Sequence, residues 1–169
     1  MDGRRCAKKG FRKGEVAVIC SPNRPEFAIA FHAVARLGGI ATTMNPALTP
    51  AEMARQLDDS QARIAFTVPE IASRLHDAAG EPFREMFCFG EESFNALAAE
   101  GVEAPEVEIA PAGDVVALPY SSGTTGVPKG VMLTHRNLVA NLLQMGPVDA
   151  TSDRDTLIAF LPFFHIYGR

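Results

Sequence analysis

Apolar positions along the chain change their period repeatedly. Residues 15–20 form a short run rich in small and β-branched side chains, which predicts a strand. Pro25 then stands where a first helical residue is tolerated, Phe27, Phe31 and Val34 recur at three- to four-residue spacing, and Gly38-Gly39 provides a stop. That punctuation predicts a helix of about thirteen residues. Residues 40–44 predict a second strand. Thr49-Pro50-Ala51-Glu52 has the spacing in which a Thr hydroxyl and a Glu carboxylate each satisfy a free backbone N–H, so a helix is expected from there through about Asp59. Residues 64–68 and 86–89 read as further buried strands, separated by a helical stretch over 70–79. Strand and helix alternate, and the expected class is α/β, a largely parallel sheet flanked by helices.

Over 98–112 the composition turns to Glu, Pro, Ala and Gly, a surface connection and a candidate subdomain boundary at about 98–113. Beyond it the pattern predicts a strand over 115–120, a loop over 121–129, a strand over 130–134, a helix over 136–145 and a last strand over 156–161. There is no internal repeat. The 169 residues, 47% hydrophobic and 21% charged, fit one globular domain. No apolar run reaches the roughly 20 residues that cross a bilayer, and Met1-Asp2-Gly3-Arg4-Arg5 leads into no signal-peptide core, so a cytoplasmic location is expected.

Cys6, Cys20 and Cys88 are odd in number and include no Cys-x-x-Cys pair, so reduced thiols are expected and no metal site is predicted. Net charge is -4, but six of the sixteen cations fall at Arg4, Arg5, Lys8, Lys9, Arg12 and Lys13. With one aromatic, Phe11, and no amphipathic continuation, this stretch reads as the solvated end of a helix leading into the turn Phe11-Arg12-Lys13-Gly14. No nucleic-acid or membrane partner is expected.

Chemistry concentrates in Tyr120-Ser121-Ser122-Gly123-Thr124-Thr125-Gly126-Val127-Pro128-Lys129-Gly130. Glycines let a backbone approach an anion, hydroxyls donate without adding charge, and Lys129 is a mobile positive point charge. The composition suits polyphosphate. A hydroxyl-rich surface loop without chemistry is the competing reading on composition alone. The pattern is not the Walker loop, because Pro128 precedes Lys129 and Gly130 follows it, and no Gly-x-Gly-x-x-Gly follows a strand.

Residues 120–131 closely resemble the phosphate-binding signature of adenylate-forming enzymes, the superfamily of acyl-CoA synthetases, luciferases and peptide-synthetase adenylation domains. Leu161-Pro162-Phe163-Phe164-His165-Ile166-Tyr167-Gly168 resembles the next motif of that family, in the version of 4-coumarate:CoA ligases and medium-chain relatives. Ser21-Pro22-Asn23-Arg24-Pro25-Glu26 and Gly38-Gly39-Ile40-Ala41 extend the likeness upstream, so it covers essentially the whole chain. Without it, His165 among aromatics would read as a packed histidine.

The resemblance implies ATP binding through Ser121, Ser122, Gly123, Thr124, Thr125, Gly126 and Lys129. It implies a catalytic and substrate-binding His165 beside the substrate carboxylate, and a Tyr167 that lines the acyl pocket. The implied reaction joins a carboxylic acid to AMP with release of pyrophosphate, then passes the acyl group to coenzyme A. Magnesium is expected for the complete enzyme, but its family ligand has no counterpart in this chain. Nor do the ribose-binding Asp, the hinge, or the small carboxy-terminal domain with its lysine. The family's opening strand and helix are expected to precede Arg4. The expectation is therefore a partial amino-terminal domain, inactive as the isolated chain and prone to self-association through uncovered apolar surface. A noncatalytic nucleotide- or acyl-binding module is the alternative. Asp114, Asp153 and Asp155 read as turn or cap residues, and His135 and Asn137 as the start of a helix.

Overall fold

The structure, a computed structural model, describes residues 11–99, 105–121, 128–146, 152, 154–156 and 158–165. The basic stretch before Phe11 and Asp153 lie outside the described residues. Strand β1 (Val16–Cys20) is followed by helix α1 (Pro25–Arg36), β2 (Ile40–Met44), α2 (Pro50–Ser60), β3 (Ile64–Thr67), α3 (Pro69–Ala78), β4 (Glu85–Cys88) and α4 (Glu92–Ala99). Then come β5 (Val115–Ala117), β6 (Tyr120–Ser121), β7 (Lys129–Gly130), β8 (Leu133–Thr134) and α5 (His135–Met145). Six strands form one sheet in the order β4-β3-β1-β2-β5-β8, parallel except at β5–β8, while β6 and β7 pair antiparallel beside it.

β1 is the centre of this sheet. Its Val16 to Cys20 run opposite Ile40 to Met44 on one side, and Ala17 to Cys20 run opposite Ile64 to Thr67 on the other. Buried on both faces, Ala17, Val18, Ile19 and Cys20 are fully excluded from solvent, which is why the strand reads as a continuous apolar run rather than an alternation. Each parallel step needs a crossover, and here the crossovers are helices. α1 buries Phe27, Ala30, Ala33 and Val34; α2 buries Met53, Gln56, Leu57 and Ser60; α3 packs on α2 and buries Ile71, Leu75 and Ala78. Three of these helices begin at a proline, whose fixed φ and missing N–H cost nothing in the first turn.

The expected capping box at Thr49 forms in both directions. Glu52 N–H donates to the Thr49 hydroxyl at 3.3 Å, and Thr49 N–H donates to Glu52 Oε2 at 2.8 Å. At Gly39 the constraint is space. A Cβ there would stand 2.3 Å from the Phe11 ring, so the ring packs where any other residue would carry a side chain.

Three expectations change. Residues 92–99 had no predicted element, yet α4 forms there, because Phe94 is buried and meets Phe89 edge-on at 4.9 Å. Eight residues are too few for a helical period to stand out against the Glu-, Ala- and Gly-rich stretch that follows. The strand expected over 156–161 is absent among the described residues of that segment. Its carbonyls at Ala159 and Leu161 bond to the Asn23 side chain instead of a neighbouring strand, and Ile158 and Phe160 stand in solvent. The predicted strands over 115–120 and 130–134 each break in two, divided between the main sheet and the small hairpin.

Glu15 ties the start of β1 to the start of β4. Arg84 donates to both its carboxylate oxygens, at 3.1 and 2.7 Å, and that hydrogen bonding holds the Glu15 carboxyl below its ordinary 4.5. A depressed folded-state pKa contributes stability that is present above the unfolded value and is lost as pH falls through the folded one. Thermal melts should therefore show a loss on acidification below pH 4.5 that is smaller in Glu15→Gln, whose melting temperature at neutral pH is already lower. An unchanged acid limb in the variant would remove this ion pair from the account.

Candidate functional site

Parallel strands β1, β3, β4, β2 and β5 all end at one edge of the sheet, and both chemistry-bearing segments lie there. That edge is where open α/β sheets hold ligands. The first segment leaves β5 through Leu118 and Pro119. Leu118 N–H donates to the Ala41 carbonyl at 2.9 Å, and the Leu118 carbonyl accepts from the Thr42 hydroxyl at 2.8 Å. Tyr120 and Ser121 then pair antiparallel with Gly130 and Lys129.

This pairing closes the base of the hydroxyl-rich loop. Ser121 and Lys129 face one another across the hairpin, about 5 Å apart at their Cα atoms, and both are exposed. A hydroxyl donor and a cation are thus held at the loop mouth. Ser122, Gly123, Thr124, Thr125 and Gly126 lie outside the described residues, as does Tyr167. Gly130 sits in close approach to its neighbours, since a Cβ there would stand 3.0 Å from Leu118 Cδ1 and 3.3 Å from Tyr120 Cζ.

Tyr120 anchors the hairpin to the layer of helices. Its hydroxyl donates to Asp59 near the end of α2. Burial first, and then the bond to the Asp59 carboxylate, push the phenol well above its ordinary value of 10.

The second segment carries His165. Phe163 meets Phe27 of α1 with ring centroids 5.9 Å apart, and Phe163 and Phe164 pack against the core. The Phe164 carbonyl accepts from the Thr43 hydroxyl at 2.7 Å. Asn23, in the link that leaves β1, accepts from Phe163 N–H at 2.8 Å and donates to the carbonyls of Ala159 and Leu161 at 3.0 and 2.8 Å. His165 itself is exposed, and its N–H donates to the Pro162 carbonyl at 3.0 Å.

Thr42 and Thr43 are adjacent on β2, so their side chains point to opposite faces of the sheet. One hydroxyl holds the chain three residues before Ser121, and the other holds the residue before His165. Gln56 of α2 adds a third polar tie, donating to the Thr42 hydroxyl and the Thr43 carbonyl, each at 3.1 Å. Sequence reasoning missed Thr42, Thr43, Gln56, Asn23 and Asp59 as supports. The available signal was two hydroxyls in an otherwise apolar buried strand, together with an Asn between two prolines.

Other candidates fall into structural roles. Cys20 and Cys88 are free and buried; burial pushes the Cys20 thiol up to about 12, so at neutral pH it is no nucleophile. Asp114 pairs with Lys13 at 2.7 Å and accepts from Ala110 N–H, and Asp155 closes a turn on Ser152. His135 and Asn137 open α5, where Asn137 completes a capping box with Thr134. Among the described residues, no grouping of three His, Cys, Asp or Glu side chains could hold a metal ion, and no helix is long and apolar enough to cross a membrane.

The phenol makes the geometry testable. Of the chain's two tyrosines, one should ionise well above pH 10 in an ultraviolet titration followed while circular dichroism reports an intact fold, and Tyr120→Phe should remove that step. Asp59→Asn should lower it. Tyr120 titrating at the ordinary value in the folded chain would contradict the contact.

Comparison with known proteins places this geometry. Residues 5–169 match the family model described as AMP-binding enzyme. The chain is 42% identical over 166 residues to 4-coumarate–CoA ligase 5 of Oryza sativa subsp. japonica, covering 94% of this chain and 31% of that protein. It is 42% identical over 171 residues to 4-coumarate–CoA ligase 2 of Nicotiana tabacum, covering 95% and 31%. Among solved structures, a long-chain-fatty-acid-CoA ligase from Archaeoglobus fulgidus superposes with a TM-score of 0.89 at 31% identity, over 98% of this chain and 34% of that one. The O-succinylbenzoate coenzyme A synthetase of Bacillus subtilis, in complex with AMP, gives 0.78 at 30% identity over 98% and 42%. The chain spans about a third of the length of the curated relatives it matches.

Proposed function

Because this chain belongs to the AMP-binding enzyme family, we propose that it is part of an ATP-dependent carboxylate:CoA ligase, a partial amino-terminal nucleotide-binding domain acting in the cytoplasm. Its substrates are ATP, a carboxylic acid and coenzyme A. A carboxylate oxygen attacks the α-phosphorus of ATP, the bond to the β-phosphate oxygen breaks, and pyrophosphate leaves with the electron pair. The thiolate of coenzyme A then attacks the acyl carbon, and AMP departs.

Within that reaction Ser121, Ser122, Gly123, Thr124, Thr125 and Gly126 present hydroxyl and backbone N–H donors to the phosphates, and Lys129 supplies the cation of the loop. Preorganised donors of this kind stabilise charge as it accumulates on the departing pyrophosphate, each worth roughly 3 kcal/mol. His165 is assigned to the reacting carboxylate and phosphate, and Tyr167 to the acyl pocket. Magnesium is expected with the nucleotide in the complete enzyme, where it would neutralise phosphate charge, its family ligand having no counterpart in this chain. The observation that carries the proposal is the adjacent pair Thr42 and Thr43, which holds the loop-bearing and His165-bearing segments at the same carboxyl edge.

Calorimetric titration of ATP tests the loop. Binding to the folded chain should weaken by about 10- to 100-fold in Lys129→Ala, the loss of a charge-assisted hydrogen bond. Affinity indifferent to that substitution would end the assignment of Lys129. Carboxylate-dependent ATP/pyrophosphate exchange, assayed with cinnamic, benzoic and fatty acids, is expected to be absent from the isolated chain. Robust exchange would show that adenylation needs no more than these residues.

Apolar exposure bears on partners. α5 buries no side chain; Leu142 and Leu143 are 65% and 72% exposed, and Met132, Val139, Ile158 and Phe160 are exposed as well. Uncovered apolar surface of this kind drives association. Sedimentation velocity should therefore show self-association that rises with concentration and falls in Leu142→Glu/Leu143→Glu. A monomer at every concentration would count against it.

A further inference from the structure

We propose that Asn23 is a positioning residue for His165, setting where the histidine-bearing segment sits at the carboxyl edge of the sheet. The inference rests on the assignment of His165 above only for its catalytic meaning; the geometry stands by itself. One carboxamide grips chain 136 to 140 residues away through three hydrogen bonds. Their chemistry fixes the orientation of the group. Phe163 N–H can only donate, so it must face Oδ1, and the carbonyls of Ala159 and Leu161 can only accept, so they must face Nδ2. Reversing the amide would break all three.

Asn23 is itself held. It stands three residues beyond Cys20, the fully buried last residue of β1, and it lies between Pro22 and Pro25, each with φ fixed by its ring. The Ser21 hydroxyl donates to the Pro22 carbonyl at 2.9 Å, Phe27 N–H donates to the Arg24 carbonyl at 3.1 Å, and Arg24 pairs with Glu26 at 2.9 Å. The grip therefore transmits the position of the central strand to the segment. A second support arrives from β2, where Thr43 holds the Phe164 carbonyl, and a third from α1, where Phe27 meets Phe163. Anchored at 159, 161, 163 and 164, the chain reaches His165 with its approach direction set by two neighbouring strands and a helix. Two of those supports would remain without Asn23, so its loss should shift the segment rather than unfold the protein.

Asp at this position is the discriminating substitution. A carboxylate has nearly the same shape and still accepts from Phe163 N–H, but it cannot donate to the two carbonyls and would place a negative charge against them. A residue that only stitches a loop would lower global stability and move nothing in particular. A positioning residue moves His165.

The test follows the four histidines by their imidazole NMR signals in the whole chain, with His165→Gln to assign the resonance, alongside amide hydrogen exchange. In Asn23→Ala the His165 signals should shift or broaden while those of His32, His76 and His135 stay in place. Exchange at the Phe163 amide, the one N–H of the segment that Asn23 accepts, should quicken by about tenfold, the loss of roughly one net hydrogen bond, with the β1–β4 amides unchanged. In Asn23→Asp the Phe163 amide should keep part of its protection while the His165 signals still move. Should Asn23→Ala not fold, Asn23→Asp decides. His165 signals unmoved in a folded variant, or all four histidines moving together, would overturn the proposal. No nucleotide or carboxylate is present, so a failure of ATP binding would strike the proposed function and leave this result standing.

Discussion

Parallel pairing on both sides of β1 is the constraint from which the rest of the structure follows. A strand hydrogen-bonded in parallel to two neighbours must be reached by crossovers, and the covering helices remove both its faces from water. The buried residues of β1, all at zero exposure, make that arrangement favourable, because each large apolar side chain removed from solvent contributes roughly 1.5 to 3 kcal/mol. Once β2 and β3 flank β1 and run the same way, every loop leaving a strand carboxyl end gathers at one edge. Whatever chemistry the later sequence supplies can then be delivered to that edge. The hairpin of β6 and β7 and the segment ending at His165 both dock there, each by a hydroxyl from β2.

The elements legible in the sequence are those whose local signal and tertiary role agree. β2 falls on the expected residues, α1 and α2 start at Pro25 and Pro50, which the pattern marks, with the Thr49 box satisfied in both directions, and α3 starts at Pro69, one residue before the expected stretch. Where the two levels separate, legibility fails. α4 brings Phe94 edge-on to Phe89, a contact between elements that eight residues of sequence do not announce. Residues 156–161 look strand-like because they are apolar, but their backbone carbonyls have a side-chain partner 136 and 138 residues upstream. Ile158 and Phe160 stand in solvent rather than in a ladder.

The candidate site divides in the same way. Ser121, Lys129 and His165 could be named from motif composition and resemblance, since the chemistry is written in the side chains themselves. Their supports could not. Thr42 and Thr43 gain meaning only because β2 lies next to β5 and because the chain returns at Phe164. Asp59 is an ordinary helical acid until the Tyr120 phenol reaches it. A one-dimensional pattern carries functional groups well, and it carries the scaffolding that aims them poorly.

The contact between Phe11 and Gly39 has a consequence on the scale of evolution. An aromatic ring occupies the volume in which residue 39 would place its first side-chain carbon, 2.3 Å from the nearest ring atom. Neither position can drift alone. A methyl group at 39 is compatible with the same packing only if residue 11 contracts, and a contraction at 11 alone leaves a void against the Val34 side chain, whose loss of contacts has its own cost. The two sites are therefore locked as a size-compensating pair across 28 residues of sequence. A side chain at 39 is therefore expected only beside a smaller residue at 11, so a bulky residue at one position of a related chain carries information about the other.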